Sequence, residues 1–234
     1  MKLGIMQPYF LPYIGYWQLM NAVDTYVIFD DVNYINRGWI NRNRILINGK
    51  PAYFNIPMRG ASQNKLINEI EVNHDEKLIE SSLKTVEIAY KRAPYFSSVF
   101  PLISSIMTNK KNVLSEFVTE SIKTVRDYLG IETELVISSS LKKNNDLKGQ
   151  DKILEICSIL GAAEYYNAIG GQELYSYSRF KEEGIDLKFL KTDRIKYVQF
   201  KNEFQENLSI LDVMMFNSID EIRKMLEQYS LIVK

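Results

Sequence analysis

Hydrophobic and polar positions alternate in short blocks along the first third of the chain. An apolar run over residues 3–6 stops at Gln7-Pro8. A helix-like apolar run over 15–22 follows, then a second run over 26–29 that ends at once in Asp30-Asp31. Short apolar runs bounded by Pro, Gly or Asp read as buried strands. Residues 52–56 alternate and end at Pro57, and Asn48-Gly49 before them is a hairpin signal. Ile70 and Val72 alternate with Glu69, Glu71 and Asn73, as in a half-buried strand. From 76 to 129 the period becomes helical. Ile79, Leu83, Val86 and Tyr90 share one face, Pro94 breaks that helix, and two more follow at 100–106 and 113–129, closed by Gly130. Strands then alternate with helices: strands at 134–138, 163–169 and 187–190, helices at 150–160 and 173–183. Helices at 209–216 and 219–228 close the pattern. This rhythm predicts one α/β domain over 1–234, Rossmann-like, with a mostly parallel sheet and a helical insertion at about 76–130.

Composition narrows the function. The chain has 234 residues and is 46% hydrophobic, enough for a sizeable core. Lysine plus arginine number 29 and aspartate plus glutamate 29, a balance that weighs against a nucleic-acid partner. The 15 tyrosines suit sugar or base-stacking surfaces as well as plain packing. One cysteine, Cys157, excludes an intrachain disulfide and fits a reducing compartment. The opening does not read as a signal peptide and no 18-residue apolar run occurs, so the expectation is a cytoplasmic protein with no membrane span.

Candidate chemistry gathers where strands end, the edge at which open α/β sheets bind ligands. In the loop from Gln7 to Tyr16, Pro8 and Pro12 stiffen the turn and Gly15 permits close approach. The amides opening the next helix are a ready anion site. The unit Tyr13-Ile14-Gly15-Tyr16 resembles the H-x-G-H signature of nucleotidylyltransferases and aminoacyl-tRNA synthetases, with Tyr at both His positions. A Tyr hydroxyl donates a hydrogen bond but carries no positive charge. Asp30 and Asp31 are the candidate catalytic groups, able to hold a ribose, metal or amine, or to serve as general base. Tyr34 precedes Arg37, Arg42 and Arg44, which are interleaved with Trp39 and Asn41. Arginine suits bidentate recognition of phosphate. On a helix, Arg37, Asn41 and Arg44 would share a face. Asn167, Gly170, Gly171 and Gln172 mark another strand end, and Tyr197 and Gln199 form a late polar set that could complete a pocket. Asp212 lies in an apolar run and is expected to pair with an early arginine. His74, the only histidine, reads as a surface or capping residue. One Cys and one His exclude the usual zinc site, and no metal site is predicted. Walker A, G-x-G-x-x-G and G-x-S-x-G patterns are absent.

Together, GIMQPYFLPYIGYWQLMNAVDTYVIFDDVNY, RGWINRNRI, YKRAPYF, YYNAIGGQELY and NLSILDVMMFN resemble the WbqC-like family over nearly the whole chain. The resemblance implies a cytosolic bacterial protein of O-antigen and other surface-polysaccharide (lipopolysaccharide) synthesis, acting on a small-molecule nucleotide-sugar. The expected function is a transferase placing an acyl or aminoacyl group on a nucleotide-linked amino sugar. The early arginines would hold phosphates, and Asp30 or Asp31 would orient or deprotonate an amine. Two alternatives stand beside it: a noncatalytic sugar-nucleotide or partner-binding protein, and an ATP-dependent ligase related to nucleotidylyltransferases. The ligase would bring ATP and magnesium as cofactors.

Overall fold

The computed structural model describes residues 1–201 and 203–233. Its elements are, in chain order, β1 (Lys2–Met6), α1 (Ile14–Asn21), β2 (Thr25–Ile28), β3 (Arg42–Ile47), β4 (Lys50–Asn55), β5 (Met58–Arg59), β6 (Glu71–Val72), α2 (Glu76–Tyr90), α3 (Phe96–Met107), α4 (Leu114–Leu129), β7 (Glu134–Ile137), α5 (Gly149–Leu160), β8 (Glu164–Ala168), α6 (Tyr177–Glu182), β9 (Asp186–Thr192), α7 (Ile210–Phe216), α8 (Ile219–Leu226) and β10 (Tyr229–Ile232).

Six strands form one sheet in the order β10-β9-β8-β1-β2-β7. All neighbours are parallel except β10, which runs antiparallel to β9. The fold is therefore mixed α/β and Rossmann-like. After β1 the chain moves to β2 on one side, and from β8 it moves away to β9 on the other. The carboxyl ends of β1 and β8 are thus the switch point where such sheets hold ligands.

Alternation along the strands divides the core. Leu3, Ile5, Val27, Tyr165, Leu187 and Phe189 pack with Ile153, Ile156 and Cys157 of α5 and Phe180 of α6. Tyr26, Ile28, Tyr166 and Leu190 belong to the other cluster, with side chains of α1, α4, α7 and α8. Helix α1 is buried over Ile14–Met20 because it is closed in by β8, β9 and α8, which explains why its sequence is apolar all round. Among the described residues no helix is long and apolar enough to cross a membrane.

The sheet and the main helices follow the sequence pattern, but the arginine–amide stretch does not. It is a strand: β3 pairs with β4 from Arg42↔Asn55 to Ile47↔Lys50. The two-residue Asn48-Gly49 turn has φ of 51° and 76°, the left-handed pair that a tight hairpin requires. In a strand, alternate residues share a face, so Arg42 and Arg44 lie together and Arg37, Asn41 and Arg44 do not. The extended region near Ile70 yields only β6, paired over two residues with β5. The helix expected over 173–183 is shorter, because a 3-10 turn occupies Ile169–Leu174 and only α6 remains α-helical. Strand β10 arises when the chain returns from α8 to the open edge of β9.

Candidate functional site

The β1–α1 loop is gripped from three directions. The Asn43 amide, projecting from β3, donates to the carbonyls of Phe10 and Leu11 at 3.2 and 3.0 Å. The Ser209 hydroxyl, at the start of α7, donates to the Leu11 carbonyl at 2.7 Å. The Pro12 carbonyl accepts from Trp17 Nε1 at 3.1 Å and from the Ile210 amide at 3.0 Å. These bonds hold Leu11 at φ 41°, a conformation costing a non-glycine residue about 1–3 kcal/mol. The loop is thereby fixed with Tyr9 and Tyr13 beside the switch point.

A cleft of about 700 Å³ lies there, lined by Gln7, Tyr9, Tyr13 and Trp39 and, across from β1, by Asn167, Gly170, Gly171 and Tyr175. Gly149 and Gln150, the first residues of α5, complete one wall. Gln150 Oε1 accepts from the Ser176 amide at 2.5 Å and so ties α5 to the loop after β8. A smaller cavity of about 280 Å³ shares Tyr9, Tyr13 and Trp39 and adds Asn43, Arg44 and Asn207. A third, of about 570 Å³, shares Tyr13 and runs along the β9–α7 connection past Tyr197. Tyr13 therefore borders all three.

The predicted residues divide sharply. Gln7, Tyr13, Trp39, Arg44, Asn167, Gly170 and Gly171 converge on these connected cavities. Arg44 donates to the Asn207 carbonyl at 3.2 Å, lies 5.7 Å over the Trp39 ring, and has no carboxylate partner among the described residues. Arg42 is occupied elsewhere. It donates to the carbonyls of Gly38 and Arg37 and lies 4.2 Å over Tyr53. Arg37 sits on an exposed loop. Tyr34 donates to Asn41 at 2.8 Å, both buried. Gln172 is half-buried in the 3-10 turn.

The Tyr-x-Gly-Tyr unit is also split. Tyr16 is buried, its hydroxyl donates to the Gln7 carbonyl at 3.1 Å, and burial pushes that hydroxyl well above its ordinary value. A Cβ on Gly15 would stand 2.4 Å from the Tyr13 ring and 2.6 Å from Thr192 Oγ1. The close approach that Gly15 allows is taken up by the chain itself.

Both aspartates serve the fold. Asp30 accepts from the Ser139 amide and hydroxyl at 2.9 and 2.7 Å. Asp31 is paired with Lys143 at 2.7 Å and Lys152 at 3.1 Å, all three side chains under a tenth exposed. Burial alone would raise the Asp31 carboxyl, but the bonds from Lys143 and Lys152 outweigh it and hold it below the ordinary value. Among the described residues Asp212 pairs with no arginine. Its carboxylate accepts from Tyr90, Tyr197 and Gln199 at 2.8, 2.6 and 2.7 Å, and burial raises it. Neutral donors satisfy the buried acid here because Tyr90 at the end of α2 and the 197–199 segment reach α7, whereas Arg42 lies over Tyr53 and Arg44 faces the cavity at Trp39. Gln199 is thus wholly internal, while Tyr197 also borders the third cavity.

Sequence reasoning did not single out Tyr9, Gln150, Tyr175, Lys143 or Lys152, which carry no local signal apart from position at strand ends and helix starts. Burial raises the hydroxyls of Tyr9, Tyr13 and Tyr175, so they remain neutral donors rather than bases. Among the described residues, no Asp, Glu, His or Cys lines the 700 Å³ cleft. Among the described residues no group of three His, Cys, Asp or Glu side chains could hold a metal ion. The lining can stack on a planar or sugar ring and hydrogen-bond its edges.

A family model described as the WbqC-like protein family matches residues 7–224. The chain is similar to an uncharacterized protein of Mycobacterium tuberculosis, Rv1507c, at 25% identity over 216 residues, covering 91% of this chain and 92% of that protein. No solved structure matches.

Proposed function

The chain belongs to the WbqC-like protein family, and on that premise we propose that it binds a nucleotide-linked amino sugar at the β1–β8 switch and transfers an acyl or aminoacyl group to it in bacterial surface-polysaccharide synthesis. The observation that carries this reading is the lining of the 700 Å³ cleft, with aromatic rings beside amides and paired glycines. Tyr9, Tyr13 and Trp39 offer faces for a base or sugar ring. The first turn of α5 points backbone amides toward a diphosphate. Two lysines share one carboxylate at Asp31, close to α5, which leaves excess positive charge on that side. Arg44 adds an unpaired guanidinium at the adjoining cavity. With the aspartates engaged in the fold, transfer would rest on holding the sugar amine against the donor carbonyl and on electrostatic stabilisation.

A second reading, a noncatalytic sugar-nucleotide-binding protein, is favoured by the lack of an acid or base in the cleft lining. The ligase reading asks for two ligand-facing groups in the Tyr-x-Gly-Tyr unit, and the buried Tyr16 gives it no support. A thermal-shift screen tests the proposal. Nucleotide-sugars should raise Tm, by linkage of binding to folding. Arg44→Ala should remove most of that rise while lowering the unliganded Tm little, since only one peripheral hydrogen bond and the contact with the Trp39 ring are lost. Mass spectrometry of sugar products with acyl donors then separates transferase from binder. No response to any nucleotide-sugar would refute both readings.

A further inference from the structure

A separate polar cavity of about 470 Å³ lies over the carboxyl ends of β2 and β7 and shares no lining residue with the cleft. Its size is within the ~300–1,000 Å³ usual for small-molecule sites. One wall is α4, which presents Ser115, Glu116, Thr119, Glu120 and Lys123. Ser115 and Thr119 are 4% and 6% exposed, and among the described residues neither hydroxyl has a hydrogen-bond partner. On the same helix Ser121 and Thr124 do bond back, to the carbonyls of Val118 and Glu120. The two residues are largely buried, their hydroxyls are unpartnered, and both line the cavity wall, where they are free to meet the polar atoms of a ligand.

The charges name the ligand's sign. Asp30 lines the cavity, is 3% exposed, and accepts only from the neutral Ser139 amide and hydroxyl. No basic side chain pairs with it among the described residues. Asp30, Glu116 and Glu120 stand against Lys111 and Lys123, and Lys111 is engaged by Glu116 at 3.9 Å. The lining therefore carries one excess carboxylate. We infer that this cavity binds a small hydroxylated primary amine, its ammonium on Asp30 and its hydroxyls on Ser115 and Thr119. That chemistry belongs both to a free amino sugar and to a hydroxylated amino acid. The site stands on its own lining and does not depend on what the switch-point cleft holds.

Calorimetric titration tests it, with glucosamine and serine as the amine probes and glucose and N-acetylglucosamine as neutral controls. At least one amine should bind and neither neutral sugar should. Glucosamine alone binding would assign an amino sugar, serine alone an amino acid, and both the shared chemistry. Ser115→Ala with Thr119→Val should weaken binding by about ten-fold, as for two lost hydrogen bonds, with no loss of Tm because those hydroxyls bond nothing in the fold. Asp30→Asn should abolish binding. Because Asp30 also holds Ser139, the α4 double variant is the decisive one. The inference falls if neither amine binds, if the neutral sugars bind equally, or if the double variant binds as the parent does.

Discussion

Replacing Asp31 by Asn keeps the side-chain volume but removes the carboxylate shared by Lys143 and Lys152. The three side chains are 9%, 1% and 7% exposed, so two ammonium groups would be left in a mostly dry site. Breaking a buried ion pair by removing one partner costs about 3–5 kcal/mol. The lower end applies, because Lys152 keeps the Asp31 carbonyl at 3.1 Å and the Phe29 ring at 5.4 Å, and Lys143 keeps the Ser138 carbonyl. At about 2–4 °C per kcal/mol for a chain of this size, a loss of about 3 kcal/mol lowers Tm by about 6–12 °C. The pH dependence has a definite sign. The Asp31 carboxyl is held below its ordinary 3.8, so the unfolded chain binds the proton more readily than the folded one. Its contribution is then complete above 3.8 and disappears as pH falls through the lower folded value. Urea unfolding of both proteins should show a constant gap near neutral pH that narrows only in acid. A gap below about 1 kcal/mol, the worth of an exposed pair, would refute the structural role and free Asp31 for base catalysis.

Two further substitutions separate structure from binding around the same edge. Arg42→Ala removes the bonds to the Gly38 and Arg37 carbonyls and the stacking on Tyr53. It should cost about 1–2 kcal/mol in urea unfolding and leave nucleotide-sugar affinity unchanged, the opposite of Arg44→Ala. Asn43→Ala strands the Phe10 carbonyl and leaves the Leu11 carbonyl to Ser209 alone. It should cost about 1–3 kcal/mol and also speed amide exchange through the β1–α1 loop, since the strained Leu11 loses one of its two anchors.

The two cavities share one edge of the sheet. They lie on either side of the β2 end, one bordered by Phe29 and Val32, the other by Asp30. Asp31, with its two lysines, stands in the segment between them. The aspartate pair then acts as a partition, with Asp30 facing one cavity and Asp31 fixing the wall.

The sequence by itself determined the five parallel strands of the sheet, but not the antiparallel edge strand β10. Leu3–Met6, the run into Asp30 and the Gly-terminated helices have periods that only a parallel α/β core can bury, and Asn48-Gly49 dictated its turn through positive φ. It also placed Gln7, Tyr13, Asn167 and the glycine pair at the carboxyl ends of the strands, because strand ends are visible as breaks in apolar runs. Partner choice among polar groups belonged to the tertiary structure. Arg42 and Arg44 are alike in local sequence, yet one is spent on Arg37, Gly38 and Tyr53 while the other faces a cavity. Asp30 and Asp31 are neighbours, but alternate side-chain directions send one to Ser139 and the other to two lysines more than a hundred residues away. Asp212 found tyrosines and a glutamine where an arginine was expected. Burial periodicity is local and survives in the sequence, whereas the pairing of a buried charge depends on which distant donors the packed elements bring within 3 Å.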